Sequence, residues 1–227
     1  MRFKGFDLLF HHTPASAAQS TRIIIGLGNP GAEYSRNRHN VGFMCVNLLA
    51  KNIGASFDKK EGLARTAHGK IDSTTVILAR PQTYMNLSGR AVVKFVEKYK
   101  VKPEAIIVIH DDMDLRLGQL RIREGGRSAG HRGIESIICE LGSGDFVRVR
   151  VGVGRPEGES PADKRSAVVD FVLEDFSADE SRTIHDTVPG VVEAVKTIVN
   201  DGLETAMNRF NRPPKNSVDK TTDEKGQ

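Results

Sequence analysis

The chain has 227 residues, 38% hydrophobic and 27% charged, with a net charge of +4. That composition suits one globular α/β domain, with or without appendages, and excludes a fibrous or wholly disordered chain. No apolar run approaches the roughly 20 residues of a membrane span. The two cysteines, Cys45 and Cys139, are too far apart in sequence to form a zinc or disulfide pattern and read as buried thiols of a reducing, cytoplasmic setting.

Met1 to Ser20 carries a short apolar patch interrupted by Asp7, too short for a secretory signal, and is expected to be a flexible extension rather than a transit peptide. Residues 21–211 are expected to form the domain. Ile23-Ile24-Ile25 predicts a buried strand, stopped by Gly26 and followed by a turn at Gly28, Pro30 and Gly31. Beyond it come Asn29, Tyr34, Arg36, Arg38, His39 and Asn40, polar groups delivered to the carboxyl end of a strand, where open α/β sheets bind ligands. Gly26-x-Gly28-x-x-Gly31 also matches a dinucleotide fingerprint. That reading needs a helix opening at the third glycine and an acid about 20 residues on; Pro30, an Arg-rich run and Lys51-Asn52-Ile53 stand there instead.

Val41 to Ile53 has helical periodicity and ends near Gly54, Phe57 to Glu61 reads as a charged loop, and Ala64–Ile71 and Thr74–Ala79 read as two strands. Pro81 to Gly89 is a loop carrying Tyr84, Met85 and Asn86 into a helix over Ser88–Tyr99. Asn86 stands where it can either cap that helix or face a site. Ala105 to Ile109 is a second strand buried on both faces, with His110, Asp111, Asp112 and Asp114 at its end. A metal site is not completed there by a further carboxylate or His cluster, so one Asp paired with a His is the simpler expectation.

Leu120–Arg123 is a strand with Arg121 and Arg123 on one face. A glycine-rich loop, Glu124 to Gly133, leads into a helix over Ile134–Leu141. Phe146 to Val153 alternates, with Arg148 and Arg150 on one face. Between Arg121 and Arg155 there are seven arginines (Arg121, Arg123, Arg127, Arg132, Arg148, Arg150, Arg155) against four acids (Glu124, Glu135, Glu140, Asp145), which makes a phosphate-binding surface. Gly154 to Asp163 reads as a loop, and Val168–Leu173 as a short apolar flap. A helix starts at the Ser177 N-cap, is broken or kinked at Pro189 and reaches Asn200; Asp201–Phe210 is the last helix, and residues 212–227 read as a disordered tail.

His39 after one central strand and Asp111 after another make a carboxylate-steadied imidazole able to deprotonate water. Asn29 and Asn86, in loops at the same edge, can donate to an oxyanion. No Ser or Cys beside His39 forms a nucleophile elbow, so direct water attack on an ester-like bond of a phosphate-bearing substrate is expected.

These residues lie in motifs that resemble bacterial-type peptidyl-tRNA hydrolases. The motifs are GLGNPG-x-x-Y-x-x-x-RHNVG (Gly26 to Gly42), P-x-TYMN-x-SG (Pro81 to Gly89), HDDMDL (His110 to Leu115), Gly130-His131-x-Gly133 and DGLETAMNRF (Asp201 to Phe210). The resemblance spans Arg22 to Phe210. It implies a single-domain mixed twisted sheet between helices, of the phosphorylase/hydrolase type, monomeric and without metal or cofactor, which cleaves the ester between a peptide and the 3′ ribose of tRNA. It implies His39 as base, Asp111 as its orienter, and Asn29 and Asn86 holding water, carbonyl or oxyanion. Tyr34 would meet the 3′-terminal nucleotide. Arg123 and Arg150 would clamp backbone or 5′ phosphates of the tRNA, whose acceptor stem and 3′ end the protein would hold, with Arg121 and Arg148 close by. Met85 and Val168–Leu173 would line or cover the peptide channel, and Tyr84 and His131 would join the substrate-binding set. Arg132 stands where the family commonly has Asn, a water-positioning role that Arg132 replaces with a cation. A non-catalytic RNA-binding module on the same surface is the alternative.

Overall fold

The computed structural model describes residues 21–156 and 164–212, with side chains for all of these except 164–166. The expected extension at 1–20, the tail at 213–227 and part of the loop before residue 164 lie outside that range.

The strands are β1 (Arg22–Gly26), β2 (Lys59–Glu61), β3 (Ala64–Ile71), β4 (Thr74–Pro81), β5 (Ile106–Asp112), β6 (Leu120–Glu124) and β7 (Val147–Gly152). They form one sheet in the order β2-β3-β4-β1-β5-β7-β6. β1 runs parallel to β4 and β5, and β5 to β7; the outer pairs are antiparallel. Helices α1 (Val41–Asn52), α5 (Ala178–Asn200) and α6 (Leu203–Phe210) cover one face, and α2 (Ser88–Tyr99) and α3 (Arg132–Leu141) the other. The apolar runs of β1 and β5 are continuous because both faces are covered: Ile24, Ile107 and Ile109 pack with α1 and α5, and Ile23, Ile25, Ile106 and Val108 with α2 and α3. Among the described residues no helix is long and apolar enough to cross a membrane.

Gly26 and Gly42 bring the first turn of α1 onto the end of β1. A Cβ on Gly26 would lie 2.2 Å from the Gly42 carbonyl, and one on Gly42 would lie 2.4 Å from the Ile109 carbonyl. That close approach is the use of the first glycine of the fingerprint. The third, Gly31, precedes a 3-10 turn at Ala32–Tyr34, and α1 starts only at Val41, so no helix N-terminus faces the turn as a dinucleotide site requires.

Several elements differ from the sequence reading. Lys59–Glu61 is a short strand rather than loop, paired with β3. β5 runs on through His110, Asp111 and Asp112, because β7 pairs with it over that whole length. α3 begins at Arg132, capped by the His131 side chain. Val168–Leu173 belongs to a helix, α4 (Lys164–Leu173). α5 continues through Pro189, its apolar face (Ile184, Val188, Val191, Val195) lying on the core on both sides of that residue. The last helix starts at Leu203, after Gly202 at φ 89. Cys45 is buried, and burial pushes its thiol well up, whereas Cys139 is exposed on the outer side of α3.

The β2–β3 edge is tied to α2 through Glu61, which accepts hydrogen bonds from Thr66 (3.0 Å), Tyr99 (2.6 Å), Lys98 and His68. Burial alone would raise this carboxyl, but the four donors outweigh it and hold it down to about 2. Its folded pKa lies below its ordinary value of 4.5. The stabilisation is therefore complete above that value and is lost as pH falls toward 2. Glu61→Gln should cost about 1–3 kcal/mol near neutral pH. It should also flatten the fall of melting temperature across that acid window. Parallel pH profiles for the two proteins would contradict this role.

Candidate active site

β1, β4 and β5 all end at one edge of the sheet, and their connections build a cavity of about 430 Å³ there. Its lining includes Asn29, Tyr34, His39, Tyr84, Met85, Asn86, Asp111, His131 and Arg132, with Val168, Val169, Val172 and Leu173 of α4 as an apolar wall.

His39 sits in a 3-10 turn, Arg38–Asn40, and its Nδ1 lies 2.8 Å from Asp111 Oδ1. A carboxylate only accepts, so Nδ1 carries the proton and Nε2 keeps its lone pair. His131 Nε2 approaches the same oxygen at 3.0 Å. The His131 Nδ1 accepts from the amides of Gly133 (3.1 Å) and Ile134 (3.2 Å) at the start of α3. Those two donors lock His131 as the Nε2–H tautomer, an N–H donor to Asp111. Of the two imidazoles, His39 is thus left as the one with a lone pair available. Burial by itself would raise the Asp111 carboxyl, but the facing rings of His39 and His131, each with an N–H aimed at Oδ1, hold it well below the usual carboxylate range. Behind them, buried His110 donates Nδ1–H to the Asp111 carbonyl at 2.7 Å, and burial together with His131 pushes its pKa well down, so it stays neutral.

The sequence reading saw no further histidine joining Asp111; the fold brings His131 there, and ligand atoms of His39, Asp111 and His131 lie within 4.8 Å of one another. This set is nevertheless not built as a metal site. A metal on His131 Nε2 would place a proton on Nδ1, directly against two backbone N–H groups, whereas a ligating histidine gives its second N–H to an acceptor.

Asn29 is held from three directions. Its amide donates to Asn40 Oδ1 (2.9 Å), its carbonyl accepts from Asn40 Nδ2 (2.9 Å), and its Oδ1 accepts from the Met85 amide (2.8 Å). With Oδ1 engaged, the Asn29 side chain has only Nδ2 donors left for the cavity. The Asn40 clamp was not anticipated; its only sequence signal is its place two residues before the Gly42 contact. Asn86 is exposed, and the α2 N-cap residue is Leu87 with no side-chain cap, so Asn86 faces the cavity instead of capping. Tyr84 is 62% exposed at the rim, Met85 is buried beneath, and Arg132 is exposed at the first position of α3.

The arginines divide. Arg121 faces Arg150, and Arg123 faces Arg148, across the β6–β7 pair. Arg123 is exposed, and Arg150 is partly engaged by Asp112 at 2.6 Å. Arg148, expected beside the phosphate clamp, is 2% exposed and donates to the carbonyls of Arg127 (2.7 Å) and Gly126 (2.5 Å). Burial, with Arg123 and Arg150 nearby, lowers its guanidinium to about 10. It braces the glycine-rich loop, which folds over it and removes it from solvent. Arg38, expected at the ligand edge, is also buried and does not line the cavity.

The sequence profile described as peptidyl-tRNA hydrolase matches residues 23–219. A peptidyl-tRNA hydrolase of Dehalococcoides mccartyi is 47% identical over 190 residues, covering 84% of this chain and 99% of the relative. One of Chloroflexus aurantiacus is 45% identical, covering 83% and 98%. The crystal structure of peptidyl-tRNA hydrolase from Acinetobacter baumannii superposes with a TM-score of 0.78 at 34% identity, over 86% of this chain and 97% of that one.

Proposed function

The chain belongs to the peptidyl-tRNA hydrolase family, and from that membership we infer that it hydrolyses the ester joining a peptide to the 3′ ribose of tRNA, with His39 as general base. The observation that carries this reading is the 2.8 Å bond from His39 Nδ1 to Asp111, which leaves Nε2 as the acceptor beside the cavity. Nε2 takes a proton from water, and the hydroxide attacks the ester carbonyl. Asp111 stabilises the imidazolium that forms, and the amides of Asn29 and Asn86 donate to the tetrahedral oxyanion. Collapse expels the ribose oxygen, which receives the proton from His39, so that one water yields a free carboxylic acid, which loses its proton to solvent, and a free ribose hydroxyl.

On this reading α4 and Met85 receive the peptide, Tyr34 and Tyr84 meet the terminal nucleotides, and Arg132 adds a cation at the mouth. Arg121, Arg123 and the unengaged part of Arg150 hold acceptor-stem phosphates. Incubation of the full chain with N-acetyl-aminoacyl-tRNA should release free tRNA. Tight binding with the ester left intact would replace the enzyme with a non-catalytic RNA-binding module.

Arg123→Ala should raise KM for full-length tRNA substrates more than for short substrates that end before the acceptor stem. It should also lower the salt slope of binding by about one unit, the share of one phosphate contact. Equal effects on long and short substrates would remove Arg123 from the tRNA surface.

A further inference from the structure

Arg38 immediately precedes His39, yet it is 6% exposed and does not line the cavity. Its Nη2 lies 2.9 and 3.2 Å from the two carboxylate oxygens of Glu180, near the start of α5. Its Nη1 donates to the Phe171 carbonyl at 3.1 Å and to Glu174 at 3.4 Å. The guanidinium carbon lies 4.1 Å from the centre of the Phe171 ring and 5.6 Å from that of Phe176. The backbone around it is joined to the same segment. Arg38 N–H donates to the Glu174 carbonyl (3.1 Å), Phe176 N–H donates to the Arg36 carbonyl (3.2 Å), Asn37 bridges Asp175, and the Asn37 side chain donates to the Leu173 carbonyl. Arg36 adds an exposed pair with Asp175.

These contacts converge on the end of the helix that supplies Val168, Val169, Val172 and Leu173 to the cavity. Burying a guanidinium carries a large desolvation cost, and among the described residues this one is offset by partners on α4, on α5 and on the segment between them. A planar fork can serve Glu180 and the Phe171 carbonyl together while stacking on the ring; a lysine cannot.

We propose that Arg38 is a positioning residue that fixes the apolar α4 wall relative to His39, so that an acyl group seated on α4 presents its ester to the imidazole. This rests on the peptidyl-tRNA reading above. It makes α4 and the base one unit, with Arg38 acting on the longer peptides that reach the wall.

The test compares wild type, Arg38→Lys and Phe171→Leu on N-acetyl-aminoacyl-tRNA and on a tRNA carrying several apolar residues, with amide exchange followed over residues 168–176. Arg38→Lys should speed exchange in that segment. It should lower kcat/KM for the longer peptide by about ten-fold, while kcat and KM of the short substrate change little. Phe171→Leu should shift the same quantities in the same direction by less, and it carries the test if Arg38→Lys does not fold. A purely architectural role would lower kcat on both substrates alike through loss of active protein. An unchanged ratio of kcat/KM values for the two substrates despite faster exchange overturns the proposal while leaving the hydrolase reading intact. Absence of turnover by wild type overturns the hydrolase reading and this proposal with it.

Discussion

His39→Ala is expected to lower kcat on N-acetyl-aminoacyl-tRNA by about 10²–10⁴-fold, the usual contribution of a positioned general base, with little change in KM. The magnitude follows from the division of labour around Asp111. His131 cannot substitute as base, because its Nδ1 is held by the amides of Gly133 and Ile134 and its Nε2–H already points at Asp111. His110 cannot substitute either, being buried with its Nδ1–H on a carbonyl. Removal of the His39 ring leaves Asp111 with its second donor, and the vacated space adjoins the cavity, where water can enter. The fold should therefore survive, with a melting temperature near that of wild type. Turnover within a few-fold of wild type, in a variant with an unchanged circular dichroism spectrum, would falsify the assignment of the base.

Asp111→Asn is expected to have an effect of similar size by a different route. Both imidazole N–H groups are aimed at one oxygen, Oδ1. An amide oxygen in that place can still accept from both, and the locked His131 N–H helps to keep it there. What disappears is the negative charge facing the imidazolium that forms during proton transfer. Two unit charges about 4 Å apart at an effective dielectric constant near 20 attract by about 4 kcal/mol, or about 10³-fold in rate. The loss should appear in kcat and leave tRNA binding unaltered. A fall confined to KM would mean that Asp111 serves the substrate and not His39.

The pairing of His39 with Asp111 could be read from the chain because two β-branched runs, each too apolar to lie at a surface, both end in polar clusters. Parallel central strands carry such clusters to the same edge. His131 was seen as a motif residue but not as the second partner of Asp111, because no spacing relates residue 131 to residue 111; only the packing of the α3 N-terminus against the end of β5 does. Arg148 shows the converse failure. Alternation placed it correctly on the face opposite Val147 and Val149, but the glycine-rich loop covers that face. Cys139 sits in a helical pattern whose apolar positions are filled by Ile134 and Ile137, and its own direction is outward.

Residue types and periodicity by themselves determined an α/β domain, two strands buried on both faces, and the imidazole, carboxylate and amides at their ends, since apolar runs must be covered and polar residues collect where coverage stops; the mixed sheet was implied by the family resemblance. Tertiary structure alone decided which arginines remain in solvent, which imidazole keeps a lone pair, and that Arg38 ties α4 to the turn before His39. Apart from the local lock on His131 by the Gly133 and Ile134 amides, those outcomes depend on hydrogen-bond partners 20 to 142 residues away in the chain, and local sequence preference carries no information about partners that distant.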